Sequence, residues 1–247
     1  VGSEWPVLRL LSPEGTTKRP SPVPVQRTKG TGTNESQLKP SLDALQAGGV
    51  AWWSSRGYET KRLLPLAPID IEGILDCVPN KTSCGGDNRD AAYFSDPVAY
   101  FTLPNDASAF LLVVGVNHNV TGKATYGNVV VETAPKDKGV FNMTCNGLVG
   151  VDSRSFGGTA LPFTAKDHDK LYAVHVSRSC AELKEKASPD ADVHCLQVDC
   201  GPLTPNCNSL RVVTRAYLEV ATTTGPAYNE LVWPRVVEFT TQSHAAS

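Results

Sequence analysis

The chain has 247 residues, of which 40% are hydrophobic, 19% charged and 7% aromatic. Its 23 basic and 25 acidic residues are mixed along the chain and give a net charge of −2, which excludes a dedicated nucleic-acid binder with a basic phosphate-binding patch. The longest apolar run, residues 109–116, is strand-length and far shorter than the roughly 20 residues of a membrane-spanning helix. We therefore predict a soluble globular protein with no nucleic-acid partner and no membrane span.

The first 40 residues differ in composition from the rest of the chain. Residues 5–11 form a short apolar segment with the composition of a β-strand. A stretch rich in Pro, Ser, Thr and Gly follows, in which alternating prolines favour an extended conformation. We predict an extended N-terminal arm over residues 1–40 that carries one apolar strand. The apolar side chains of that strand are Trp5, Val7, Leu8, Leu10 and Leu11.

Residues 41–247 have the pattern of a β-rich globular domain. Residues 41–48 predict a brief helix, with Ser41 as N-cap and Gly48 as its end. The run 109–116 predicts a fully buried central strand, and residues 124–132 predict its partner across a turn.

Three further strands and a second helix follow. Strands are predicted over residues 170–176, 210–220 and 231–239, and Pro234 in the last of them indicates an edge strand or a bulge. Residues 180–187 are the other helix candidate. Many short strands with little helix predict a mainly β fold, a β-sandwich-like domain with short helices.

Seven cysteines and a single methionine indicate an oxidising compartment. The most local pairing is Cys77–Cys84, Cys180–Cys195 and Cys200–Cys207, which leaves Cys145 unpaired. The four clustered C-terminal cysteines allow three connectivities. Zinc is the alternative, but the chain has no C-x-x-C pair, so we predict disulfides and no metal site.

Four N-glycosylation sequons point to the same compartment, although chance would supply about two of them. The chain begins at Val1 and not at a methionine, as expected after removal of a signal peptide. We therefore predict a secreted, extracellular glycoprotein. The acceptor residues are Asn34, Asn80, Asn119 and Asn142.

Asn117 and His118 lie in the most distinctive polar stretch, residues 115–126. They could form a functional site presented by the preceding strand. Alternatively, they belong to a polar turn that carries a glycan on Asn119. We favour the turn, because no nucleophile or base-orienting partner is identifiable nearby. His175 is a second candidate for a hydrolase or metal-dependent enzyme. No H-E-x-x-H, G-x-S-x-G or P-loop pattern occurs, so we predict no catalytic residues, no cofactor and no enzyme.

Adjacent aromatic residues supply one more candidate site. Trp52, Trp53 and Tyr58 could form a stacking platform for a sugar, or pack in the core as such residues more often do. The first alternative leads to a secreted carbohydrate-binding module, or part of a wall-active enzyme.

The N-terminal arm is the predicted functional element. Its strand has apolar side chains on both faces, which suits insertion between two apolar surfaces and would be an aggregation liability in water. Forty extended residues reach about 120 Å, whereas a domain of about 200 residues has a radius of gyration of about 16 Å. Addition of this strand to a neighbour's sheet is a head-to-tail contact that builds a filament. The alternatives are that the arm completes its own sheet or stays disordered.

The 115–126 stretch, the Cys77–Cys84 loop and the late cysteine cluster resemble secreted β-rich glycoproteins of algae and other microbes, some of which are similar to subunits of heavily glycosylated extracellular fibrils. The resemblance implies linkage through an N-terminal segment and carbohydrate on Asn80, Asn119 and Asn142 and on prolines of the arm. Those prolines are Pro20, Pro22 and Pro24, and the Ser12-Pro13 dipeptide adds Pro13 as a candidate for modification.

The sequence as a whole therefore predicts a structural subunit of an extracellular glycosylated filament or surface coat. Its predicted partners are copies of itself, joined head to tail by the N-terminal strand, and covalent glycans.

Overall fold

The computed structural model describes residues 29–68, 90–95, 101–134, 149–188, 192–199 and 209–242. Several predictions concern residues outside these ranges, namely the apolar segment 5–11, four prolines, two sequons and five cysteines. Those prolines, asparagines and cysteines are Pro13, Pro20, Pro22, Pro24, Asn80, Asn142, Cys77, Cys84, Cys145, Cys200 and Cys207.

The described residues form two five-stranded β-sheets, which confirms the mainly β, sandwich-like fold. The first sheet is antiparallel except for its last pair of strands, which is parallel. The second sheet is antiparallel throughout. The first sheet has the order β1 (Tyr58–Pro65), β10 (Arg235–Thr241), β4 (Ala109–Val116), β7 (Leu171–Ser177) and β8 (Cys195–Gln197). The second has the order β2 (Ala67–Pro68), β3 (Ala91–Ser95), β9 (Ser209–Tyr217), β5 (Tyr126–Ala134) and β6 (Val149–Asp152).

Two layers of core explain the uninterrupted apolar sequence of β4. Leu111 faces the core between the two sheets, where it joins side chains of the second sheet such as Val129. Phe110 faces the opposite way, into a core between the first sheet and helix α1 (Lys39–Ser54), which contributes Leu42. Since β4 is buried on both faces, the prediction of a fully buried central strand is confirmed.

Helix α1 is longer than predicted, and Gly48 does not end it. A Cβ atom on Gly48 would lie 2.0 Å from the Phe163 carbonyl oxygen, and one on Gly49 would lie 2.7 Å from a Leu112 methyl group. These glycines therefore allow the helix to pack closely against Phe163 and strand β4. Ser41 lies inside the helix and not at its N-cap, and its hydroxyl donates to the Asp167 carboxylate at 2.5 Å.

Two predictions about the strands are wrong. The strand predicted over residues 124–132 exists as β5, but it pairs with β9 and β6 in the second sheet, because the turn after β4 carries the chain from one sheet to the other. Pro234 marks neither an edge nor a bulge: β10 begins directly after it and lies between β1 and β4. A proline at this position costs no ladder hydrogen bond, since it precedes the paired residues.

The second helix, α2 (Cys180–Ala187), has the predicted bounds. The predicted disulfide Cys180–Cys195 is confirmed and joins the start of α2 to β8. Within the described ranges, no helix is long and apolar enough to cross a membrane.

Candidate functional site

A cluster of buried ionisable side chains lies at the end of the sandwich where β4 and β9 finish and β10 begins. It surrounds residues 29–38, here called the anchor segment, which pack against the domain although they belong to the predicted arm. Each of its five side chains belongs to a residue that is at most 8% exposed. The members of this ionic cluster are Glu35, His118, Lys123, Glu219 and Glu230.

Glu35 and His118 form the first half of the ionic cluster. The Glu35 carboxylate lies 2.9 and 3.0 Å from His118 Nδ1, and it also accepts hydrogen bonds from the Thr121 hydroxyl and the Val232 N–H. Burial alone would raise the pKa of the Glu35 carboxyl, but the charge of His118 and these hydrogen bonds hold that pKa below its usual value. A carboxylate of the anchor segment is thus held in its charged form inside the domain.

Lys123 organises the second half. Its Nζ donates to Glu219 and to Glu230 at 2.6 Å each, and to the Thr31 hydroxyl at 2.9 Å. Burial would lower the pKa of Lys123, but the hydrogen bonds and charges of the two carboxylates raise it. The lysine therefore stays protonated and joins the side chains of Glu219 and Glu230 to Thr31 of the anchor segment.

Glu230 binds the backbone of the anchor segment directly. Its carboxylate accepts the Thr31 N–H at 3.0 Å and the Gly32 N–H at 2.5 Å, and its own carbonyl oxygen accepts the Glu35 N–H at 2.9 Å. Burial would raise the pKa of Glu230, but the bonds from Lys123 and from these two backbone groups lower it.

Gly30 makes this approach possible. Its φ of +92° is unfavourable for residues with a side chain, and a Cβ atom there would lie 2.7 Å from Glu230 Oε1. The glycines of the anchor segment, which suggest flexibility in the sequence, thus include one that is required by a tightly packed contact.

The geometry is that of a clamp. Lys123 and the carboxylates of Glu219 and Glu230 are directed at one another and at the anchor segment, and these residues are distant in sequence. One oxygen, Glu219 Oε2, is buried with no hydrogen-bond partner among the described residues. No group of three or more His, Cys, Asp or Glu side chains in the part of the chain described by the structure is arranged to hold a metal ion.

Of Asn117 and His118, the structure gives His118 a partner that the sequence did not reveal. Both residues are buried, whereas the neighbouring Asn119 is exposed. The partner of His118, Glu35, lies 83 positions earlier in the chain, within the predicted arm. A single glutamate in a polar stretch carries no local signal of such a contact.

The aromatic candidates belong mainly to the core. Trp53 and Tyr58 are buried, and Trp52 is half-buried with the Arg56 guanidinium 3.5 Å from its ring centre. His175 accepts a hydrogen bond from the Trp53 indole at 3.0 Å on Nε2, while its Nδ1 lies 3.2 Å from the His194 carbonyl oxygen. Burial lowers the pKa of His175 to about 3, so its ring is neutral and bonded on both nitrogens.

Comparison of the chain with protein-family models, with curated proteins and with solved structures found no match. The interpretation of the site therefore depends on its own geometry.

Proposed function

We propose that the protein is a structural subunit of an extracellular glycosylated filament or surface coat, and that residues 1–28 connect each subunit to its neighbour. The observation that carries the proposal is the clamp on the anchor segment. It fixes the point from which residues 1–28 depart, as a connector under tension requires.

Burial of the ionic cluster supports a mechanical role. Removing charged groups from water is costly, and a buried ion pair stabilises a fold only when its geometry and hydrogen bonds are good. Here Glu230 has Lys123 and two backbone N–H groups as partners, and Glu35 has His118, Thr121 and a backbone N–H. Breaking one such partnership leaves the other charges buried, so the anchor segment resists detachment.

The sequence before the clamp has the length and composition of a connector. Between Leu11 and Lys29 an extended chain of 18 residues (29 − 11) covers about 55 Å, more than the radius of the domain. Burial of the apolar residues 5–11 in a neighbour contributes several kcal/mol, at about 25 cal/mol per Å², before the cost of ordering the segment. Since the donor and acceptor surfaces differ, the contact is head-to-tail and propagates.

The Cys180–Cys195 disulfide and the exposed sequons at Asn34 and Asn119 support an extracellular setting for this filament. The alternative of a carbohydrate-binding module built on Trp52 and Trp53 has less support, because Trp53 is 0% exposed and cannot stack on a ligand.

The test is to compare the full chain with a chain that lacks residues 1–28 and retains the anchor segment, by negative-stain electron microscopy and light scattering. We expect filaments from the full chain and folded monomers from the shortened one. A Trp5→Asp variant of the full chain is the matched control for chain length, and it should also give monomers. Filaments that persist without residues 1–28 would contradict the proposal.

A further inference from the structure

Three tyrosines lie together on the outer face of the second sheet. Tyr93, Tyr126 and Tyr217 alternate along β3, β5 and β9 with residues that face the core between the sheets. The ring centres of Tyr126 and Tyr217 are 5.6 Å apart, and those of Tyr93 and Tyr217 are 6.4 Å apart. Tyr126 is 37% exposed and the other two are half-buried. We call these residues, with Asn128 and Arg215, the tyrosine face.

Hydrogen-bonding groups lie between and beside the rings. The Asn128 amide lies 3.4 Å from the Tyr126 hydroxyl. The Arg215 guanidinium lies 5.2 Å from the centre of the Tyr93 ring and is paired with Glu132 at 3.7 Å. Aromatic rings with polar groups at their edges suit pyranose sugars, whose C–H groups pack on a ring while their hydroxyls bond to amides and guanidinium groups.

A glycosylation sequon lies next to this surface. With the Asn119 amide nitrogen directed at the neighbouring backbone, Nδ2 is 3.0 Å from the carbonyl oxygens of both Ala124 and Thr125. The Thr125 carbonyl belongs to the peptide that joins Thr125 to Tyr126, so Nδ2 lies within about 6 Å of the Tyr126 Cα atom by standard peptide dimensions. Asn119 itself is exposed.

We propose that the tyrosine face is the docking surface for the first sugars of an N-linked glycan carried by Asn119 of the same chain. The proposal rests on the glycosylation that is part of the proposed function. Glycosylation replaces one amide hydrogen by a sugar carbon, so the side chain must turn away from one of the two carbonyl oxygens. The remaining N–H can hold the other contact and so restrict the direction in which the sugar leaves. An attached glycan acts at a high effective concentration, so a modest stacking surface is sufficient to hold it.

The experiment uses the full chain secreted by a eukaryotic host that performs N-glycosylation. Glycopeptide mass spectrometry measures occupancy of Asn119, and thermal unfolding is measured for Asn119→Gln, Tyr126→Ala and the double variant. We expect occupancy of Asn119, a fall in Tm of about 3 °C for Asn119→Gln in the native background, and a fall of less than about 1 °C in the Tyr126→Ala background.

Asn34→Gln is the matched control, because it removes the other exposed sequon among the described residues and should combine additively with Tyr126→Ala. A second measurement does not depend on stability. In protein carrying ¹³C-labelled glycan, ring currents should shift sugar resonances upfield, and Tyr126→Ala should abolish that shift.

Three results would each overturn the proposal: an unoccupied Asn119, a fall in Tm of the double variant equal to the sum of the two single falls, or unshifted sugar resonances. Loss of filaments in Tyr126→Ala with no change in the glycan would assign the tyrosine face to a protein contact and would overturn it as well. Filament formation is scored separately, by comparing each full-length variant with the same variant lacking residues 1–28. Failure of glycan docking and failure of the filament proposal are therefore separate results.

Discussion

The substitution Glu230→Gln tests whether the ionic cluster fixes the anchor segment. Glutamine has nearly the shape of glutamate, but it removes a charge that is paired with Lys123 and replaces one acceptor of backbone N–H groups by a donor. Removing one partner of a buried ion pair costs about 3–5 kcal/mol. Since Lys123 retains Glu219, we expect the lower end, about 3 kcal/mol. This corresponds to a fall in Tm of about 6–12 °C for a domain of this size.

The assay combines thermal unfolding with limited trypsin digestion at the bond between Lys29 and Gly30, where the anchor segment begins. Cleavage at this bond should accelerate in Glu230→Gln because the segment detaches more often. The control is Glu238→Gln, which neutralises another buried carboxylate, paired with Lys61 and Arg62 on β1. It should lower Tm without selective cleavage at Lys29. A Tm within 1 °C of the parent and unchanged cleavage in Glu230→Gln would refute the clamp.

Three further predictions concern stability. Gly30→Ala should cost about 1–3 kcal/mol in chemical denaturation, because the new Cβ meets the Glu230 carboxylate at a positive φ, whereas Gly32→Ala adds only the backbone strain and should cost less. Folding lowers the pKa values of Glu35 and Glu230, so their contribution to the free energy of unfolding is present above the unfolded pKa of 4.5 and is lost as pH falls through the lowered values. The urea midpoint should therefore be lower at pH 3 than at pH 6. An unchanged midpoint would contradict this prediction. Replacing both cysteines of the α2–β8 disulfide by serine should reduce the free energy of unfolding by about 3 kcal/mol, measured against the oxidised parent under the same conditions.

The sequence predicted elements whose pattern is set locally. The strand β4 and the helix α2 have the expected bounds, because an apolar run of strand length and a short helical pattern leave few alternatives. Strand pairing is not local: the turn after β4 reads as a hairpin, but both faces of β4 are buried and its edges pair with β7 and β10. Gly48 reads as a helix end unless its packing against Phe163 is known.

The ionic cluster was beyond the reach of sequence patterns for the same reason. Its members come from the anchor segment, the turn after β4 and the two segments that follow β9, and each is a single charged residue in a polar context. The Gly-Thr-Gly stretch at residues 30–32 reads as part of a flexible arm because its hydrogen-bond partners are 198 and 199 positions away. Charge patterning along one segment does not reveal such partners.

These large separations in sequence also determine when the anchor segment can be fixed during synthesis. Glu219 and Glu230 leave the ribosome 188 and 199 residues after Thr31, so the anchor segment cannot be locked until residues 219–230 have been made. In a nascent chain the anchor segment therefore lacks these partners at first, and the emergence of Glu219 and Glu230 supplies them. In the proposed filament, competence to join a neighbour would in this way be tied to synthesis of residues 219–230, and a chain truncated before them would lack the anchored connector.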